Sequence, residues 1–173
     1  MDIYIIEVKN ADKVSEETLR WYQKKEITNE EKWKTHCLSY LLVDKFLEEV
    51  YGIENRELVF DNGKPMLLDG RKHFSISHSD ELIAIAFSDS NCGVDIEKIR
   101  LREFQSISER MGFEANTLGE FYEEWTRYEA LYKLGSKDNY GSIAVYDLDD
   151  YALTAVSDDP CEDFELFYQA EEE

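Results

Sequence analysis

Hydrophobic and polar residues alternate in Gly93-Val94-Asp95-Ile96-Glu97, which predicts a strand with Val94 and Ile96 in a core. Asp95 and Glu97 then share the opposite face, their Cα atoms roughly 6.7 Å apart at the strand rise. Other segments read as follows. Residues 2–8 alternate as a strand, and Ser15-Glu16-Glu17 opens a short helix with its acids in the first turn. Thr28-Asn29-Glu30-Glu31 has the spacing of a capping box. It precedes a helix whose apolar stripe runs through Leu38, Leu41, Leu42, Phe46 and Val50 to Gly52.

Glu57–Phe60 reads as a strand, Asp61-Asn62-Gly63 as a turn and Lys64-Pro65 as its exit. Phe74 to Ser79 alternates, with Phe74, Ile76 and His78 on one face and three serines on the other. The nearly continuous apolar run from Leu82 to Phe87 suits a sheet centre. Asp89-Ser90-Asn91 is a turn signal, so 82–88 and 93–97 are expected to pair as a hairpin. A loop and short helix follow to Gly112. Thr117-Leu118-Gly119-Glu120 is a second capping box, opening a helix that Gly135 ends. On that helix Trp125, Glu129 and Lys133 line one side. Strands are expected at 142–147, 151–156 and 164–169, with a solvent-facing Glu171-Glu172-Glu173 tail.

Composition narrows the picture. A chain of 173 residues, 43% hydrophobic, suits a single unit over 1–173 with approximate halves 1–88 and 89–173. No apolar run reaches the roughly 20 residues of a membrane helix, and the acidic N-terminus is unlike a signal peptide. Cys37, Cys92 and Cys161 are scattered with no C-x-x-C, as expected of a reduced, cytoplasmic protein. The net charge of −20 argues against nucleic acid or an anionic membrane as partner. The charge is uneven, and the middle third, which holds Asp95 and Glu97, is close to neutral.

Two parallel carboxylates on one strand face repel each other unless a cation or hydrogen-bond donors lie between them. The pair suits a hard divalent ion, and it also suits plain solvated surface. Glu129 and Lys133 likewise admit a reading as a helix-surface ion pair.

The order of the pieces is what carries a resemblance: an early helix with Lys32 and Lys34, Gly63-Lys64-Pro65, Phe74-Ser75-Ile76-Ser77-His78-Ser79, Gly93–Glu97, then Trp125-Thr126-x-x-Glu129-Ala130-x-x-Lys133. Over roughly residues 28–137 the chain resembles the 4'-phosphopantetheinyl transferases of the longer, Sfp-like type. The resemblance implies an α+β fold of two similar α/β halves packed as a pseudo-twofold unit. It also implies Mg²⁺-dependent transfer of phosphopantetheine from coenzyme A to a serine of an apo acyl or peptidyl carrier protein, with adenosine 3',5'-bisphosphate released. By the same resemblance Asp95, Glu97 and Glu129 are the metal ligands, and Lys133 contacts the pyrophosphate. Ser77 and His78 grip coenzyme A phosphates, and Lys64 with Pro65 lies beside the adenine end. Lys34, or Lys32, stands where the family has an arginine for the 3'-phosphate, and Glu114, or Glu109, is nearest the family's general base.

The chain departs from the family at Tyr128, where the helix motif normally has lysine; a phenol donates a hydrogen bond and brings no positive charge. Arg127 is adjacent, about 100° round the helix. Arg71, Lys72, Lys98, Arg100 and Arg102 are candidates for a basic face that docks an acidic carrier. The alternatives are a non-catalytic relative that binds coenzyme A or a carrier, and an unrelated Mg²⁺-dependent hydrolase. The two-half length favours a monomer.

Overall fold

The computed structural model describes residues 1–168; residues 169–173, which include the glutamate tail and the last residue of the expected 164–169 strand, lie outside them. β1 (Asp2–Glu7) leads through a 3-10 turn (Val8–Lys13) to α1 (Glu16–Trp21) and the long α2 (Glu30–Glu49). β2 (Leu58–Asp61) and β3 (Lys64–Leu67) form a hairpin. β4 (His73–Ser79), β5 (Leu82–Ser88) and β6 (Cys92–Lys98) follow, then α3 (Gln105–Met111) and α4 (Leu118–Leu134). β7 (Ser142–Leu148), β8 (Tyr151–Ser157) and β9 (Glu165–Tyr168) complete the chain. The architecture is α+β.

The first large sheet has the order β4-β5-β1-β9 and the second β6-β8-β7. The period-two pattern sorts the faces. Ile83, Ile85, Phe87 and Phe74 pack with Leu38, Leu41, Leu42 and Leu47 of α2. From the other face of the same sheet, Ile3, Ile5, Ala84 and Ala86 pack against Val94, Ile96, Leu153 and Ala155 of the second sheet. α4 covers the second sheet's far side, where Ala130, Leu131 and Leu134 meet Val156. The layers are therefore helix, sheet, sheet, helix. β9 returns from the second half to pair in parallel with β1.

The expected hairpin between 82–88 and 93–97 does not form. β5 is flanked by β4 and β1, so both its edges are taken, and β6 pairs instead with β8. The Asp89-Ser90-Asn91 turn carries the chain from one sheet to the other. The α2 cap also differs from expectation. Asn29, not Thr28, is the N-cap, and its side chain accepts from the Lys32 N–H; the residue three beyond it is lysine, which has no acceptor to complete a box. The second box is complete, with Thr117 and Glu120 capping each other's backbone.

Left-handed backbone at two places bears on the site. Asn62 (φ 48°) and Gly63 (φ 84°) join Asp61 to Lys64 in a two-residue loop that places Lys64 on the hairpin. Gly135 (φ 88°) ends α4, with its N–H bonded to Leu131 and Tyr132 carbonyls.

Candidate active site

β6 is an edge strand, so the N–H groups of Val94, Ile96 and Lys98 need partners outside their own sheet. The β4 serines supply them. Ser75, Ser77 and Ser79 hydroxyls accept from Val94, Ile96 and Lys98 at 3.1, 3.2 and 3.0 Å. Ser75 and Ser77 stand opposite Ala86 and Ala84, small residues on the same face of the first sheet. The alternation in Phe74–Ser79 thus has a structural use that its sequence did not disclose.

Two of these serines also bind acids. Ser77 donates to Asp95 Oδ1 at 2.8 Å and Ser79 to Glu97 Oε2 at 3.1 Å. Lys133 reaches across from α4, donating to Asp95 Oδ1 at 2.8 Å and to the Val94 carbonyl at 3.0 Å. Lys133 therefore pairs with the strand acid rather than forming the helix-surface pair with Glu129. Even so, burial outweighs Lys133 and raises the Asp95 pKa above the usual carboxylate range. Asp95 is only 4% exposed, and its Oδ2 is buried with no hydrogen-bond partner. Glu97 and Glu129 are also pushed up, first by desolvation and then by the Asp95 charge.

The close approach of helix and strand depends on Gly93. A Cβ built there would lie 2.1 Å from the Ala130 carbonyl oxygen and 3.0 Å from the Leu134 nitrogen. Thr126 on α4 and Thr154 on β8 bridge hydroxyls at 2.8 Å in the same interface. These contacts set the helix that carries Glu129 and Lys133 against the strand that carries Asp95 and Glu97.

Among the described residues, no three His, Cys, Asp or Glu side chains already converge with metal-ligand spacing. The donor set nonetheless fits a hard dication: it is all oxygen, and among the described residues one buried carboxylate oxygen, Asp95 Oδ2, has no hydrogen-bond partner.

Beside these acids a cleft of about 630 Å³ opens between α2, the β2–β3 hairpin, β4 and the end of α4. His36, Lys64, Pro65, His78, Tyr132 and Lys133 are among its walls. Lys64 is anchored by donating to Asn91 Oδ1 at 2.8 Å and to the Cys92 carbonyl at 3.0 Å, and burial lowers its pKa. His78 is pushed down by desolvation and then by Lys133 and Lys25, with Lys32 adding to the effect. Desolvation also lowers His36, followed by Lys25, His78 and Lys24. Burial is the first cause for both histidines, and Lys133, Lys25, Lys32 and Lys24 add to it, in a chain whose net charge is −20.

Of the residues singled out in the sequence, the fold brings Lys64, Pro65, His78 and Lys133 to this cleft, with Ser77, Asp95 and Glu97 against it through Lys133 and the serine seam. Glu129 faces them from α4. Lys34 is elsewhere. It pairs with Asp12 at 3.0 Å and Glu30 at 3.4 Å, bordering depressions of about 640 and 830 Å³ near α1 and the 3-10 turn. Lys32 is the early-helix cation close enough to act on His78. Glu114 is exposed between α3 and α4, and Glu109 is exposed on α3. His36 and Tyr132 escaped the sequence reading, being an ordinary polar residue on an amphipathic helix and an aromatic beside Lys133. Ser79 was more accessible, since it lies two residues beyond Ser77 on the same strand face.

Tyr128 turns towards Phe113 and Trp125, with ring centroids 6.2 and 6.4 Å away. Arg127 does not replace the missing cation, because it bonds the Tyr140 hydroxyl at 2.8 Å and lies over that ring. Of the five cations considered as one docking face, Arg102 lies over the Phe121 ring and the other four divide into two pairs. Lys72 pairs with Asp89 and Arg71 with Asp69 at one end of the β4–β5 hairpin, while Lys98 and Arg100 share Asp80 in its turn. A strand of that length separates the groups by roughly 20 Å.

No family model matches the chain. It is 32% identical over 125 residues to the 4'-phosphopantetheinyl transferase gsp of Aneurinibacillus migulanus, an alignment covering 65% of this chain and 52% of that protein. It is 29% identical over 121 residues to the 4'-phosphopantetheinyl transferase psf-1 of Bacillus pumilus, covering 60% of this chain and 51% of the other. The chain spans about half the length of these curated relatives. By sequence, then, the chain is similar to 4'-phosphopantetheinyl transferases over about half of their length.

Proposed function

We propose that the protein transfers 4'-phosphopantetheine from coenzyme A to a serine of an apo acyl or peptidyl carrier protein. The observation that supports this reading is a cleft walled by Lys64, Lys133 and His78, joined through Lys133 to a strand whose buried Asp95 has one carboxylate oxygen with no hydrogen-bond partner among the described residues. A polyanion is wanted by the first and a divalent cation by the second, and a coenzyme A pyrophosphate with Mg²⁺ answers both. Lys64, Lys133 and His78 bind the phosphates, with Pro65 beside the nucleoside end and Lys32 the better placed of the early-helix lysines. Asp95, Glu97 and Glu129 would hold the Mg²⁺, which supplies charge neutralisation on the pyrophosphate as the leaving group departs.

In the proposed reaction the carrier serine Oγ attacks the phosphorus that bears pantetheine. The P–O bond to adenosine 3',5'-bisphosphate breaks, and the serine proton passes to a carboxylate, for which Glu114 is the candidate. Lys133 already lies against Asp95, so it is held ready to neutralise the leaving oxygen. The free thiols Cys37, Cys92 and Cys161 accord with a cytoplasmic enzyme, and a monomer is the simplest assembly. Among the described residues no helix is long and apolar enough to cross a membrane.

The test is to mix the protein with Mg²⁺, coenzyme A and a panel of apo carriers and to weigh the carriers. A gain of one phosphopantetheine is expected. Coenzyme A binding with no mass gain on any carrier would replace this reading with a non-catalytic binder, and no coenzyme A binding would remove it.

The loop after β6 is the proposed carrier-docking face. Leu101 is 97% exposed between Arg100 and Arg102, only a few residues beyond Glu97. Replacing Arg100 and Arg102 by glutamate is expected to raise KM for an acidic carrier about 10-fold while KM for coenzyme A holds. Equal changes in both constants would exclude this loop as the docking face.

A further inference from the structure

The three serines of β4 make the same bond to β6 but do not all do the same work. Each hydroxyl accepts one N–H from the edge strand, which fixes the oxygen and leaves its single proton to donate. Among the described residues Ser75 is bonded to no acid, and its seam contact is to Val94. Ser77 and Ser79 each close a small ring, accepting from one residue of β6 and donating to the acid just before it. Asp95 has a second donor in Lys133, which holds the same oxygen from the helix side. Glu97 makes no ion pair among the described residues; Ser79 and Trp125 are the groups whose hydrogen bonds favour its ionised form.

We infer that Ser79 is a positioning residue for Glu97, aiming that carboxylate so that Asp95 and Glu97 present oxygens to one divalent cation. The inference rests on the proposed metal role of these acids and goes beyond it, because it assigns a task to a side chain that touches neither coenzyme A nor carrier. The physical reason is rotational freedom. A glutamate on a strand swings about three torsions, and without a fixed donor it samples solvent-facing rotamers that leave the second ligand out of register. A hydroxyl pinned by the Lys98 N–H holds Oε2 of that carboxylate in place. Such outer hydrogen bonds to ligating carboxylates are commonly worth 10- to 100-fold in metal affinity.

Ser75 provides the control that a purely structural seam would fail. Mn²⁺ affinity, read by electron paramagnetic resonance without coenzyme A or carrier, is compared among the full-length wild type, Ser79→Ala, Ser79→Thr and Ser75→Ala, with Tm measured for each. Ser79→Ala is expected to raise the Mn²⁺ Kd about 10-fold or more. Ser79→Thr, which keeps the hydroxyl, is expected to restore it. Ser75→Ala is expected to lower Tm at least as much as Ser79→Ala, since Ser75 is the more buried, while leaving the Mn²⁺ Kd at the wild-type value. If Ser79→Ala binds Mn²⁺ like the wild type, or if Ser75→Ala weakens binding equally, the positioning role is overturned and the metal reading survives. A wild type that binds no Mn²⁺ overturns both. Should Ser79→Ala not fold, Ser79→Cys, a much weaker donor, carries the same expectation.

Discussion

Gly93→Ala is expected to destabilise the protein by about 3 kcal/mol or more, lowering Tm by about 6–12 °C, measurable by thermal denaturation. The added Cβ would meet the Ala130 carbonyl oxygen at 2.1 Å and the Leu134 nitrogen at 3.0 Å. Both are backbone atoms of α4 and its interior hydrogen-bond ladder, so no side chain can rotate out of the way. Trimming Ala130 to glycine does not help, because the clash is not with its side chain. The helix must move off the strand by more than about 1 Å to reach an ordinary contact distance. That movement carries Glu129 and Lys133 away from Asp95 and Glu97 and opens the Thr126–Thr154 bridge. A displacement of this size in a reacting constellation costs on the order of 100-fold in rate. Transfer activity is thus expected to fall even at temperatures where the variant remains folded. A Gly93→Ala protein with wild-type Tm would show that helix and strand are not packed as described.

Gly93 also marks the limit of what the residues disclose. Its neighbours were legible: the alternation of Val94 and Ile96 against Asp95 and Glu97 depends on local periodicity, and the strand is there. The need for glycine at its head was not, because it arises from a helix nearly 40 residues further on. The same division runs through the chain. Thr117 with Glu120, Gly112, Gly135 and the Asn62-Gly63 turn are short-range signals, and each does what its spacing implies. Failures occur where the partner is remote. Asp89-Ser90-Asn91 turns the chain as its composition predicts, yet the strands on either side belong to different sheets, since β1 already occupies the free edge of β5. The β4 serines looked like one polar face, and only the neighbouring edge of β6 reveals that they seal it. On α2, Lys32 and Lys34 are two residues apart and point to different surroundings, the first acting on His78 and the second paired with Asp12.

The replacement of the motif lysine by Tyr128 now has a local account. Its ring extends a stack through Trp125, Phe121 and Phe113, so apolar packing has taken the place of a charge at that turn of α4. Positive charge reaches the site from other elements, through Lys64 on the hairpin, Lys133 one turn further along α4, and the lysines that act on His36 and His78.

Asp95→Asn is expected to abolish transfer, with a fall of about 1,000-fold or more in kcat/KM, or about 4 kcal/mol of transition-state stabilisation. The same substitution is expected to leave Tm at neutral pH unchanged or higher, and this opposition is the sharper part of the test. Asp95 is buried, one of its oxygens lacks any partner, and its pKa is raised despite Lys133, so its ionised form is a net cost to the metal-free fold. A carboxyl raised in the folded state favours folding most when protonated, below its unfolded value near 3.9, and loses that contribution as pH rises to its folded value. Asparagine has no charge to desolvate, so the Tm of the variant relative to the wild type is expected to climb from about pH 4 to about pH 7. Glu97 and Glu129 are shifted in the same direction, and Mg²⁺ is expected to raise the Tm of the wild type at neutral pH much more than that of the variant. Retention of more than a tenth of wild-type turnover by Asp95→Asn would remove Asp95 from the proposed metal site. A large loss of Tm at neutral pH would instead make Asp95 a structural partner of Lys133, whose charge the substitution leaves unpaired in the middle of the helix–strand interface.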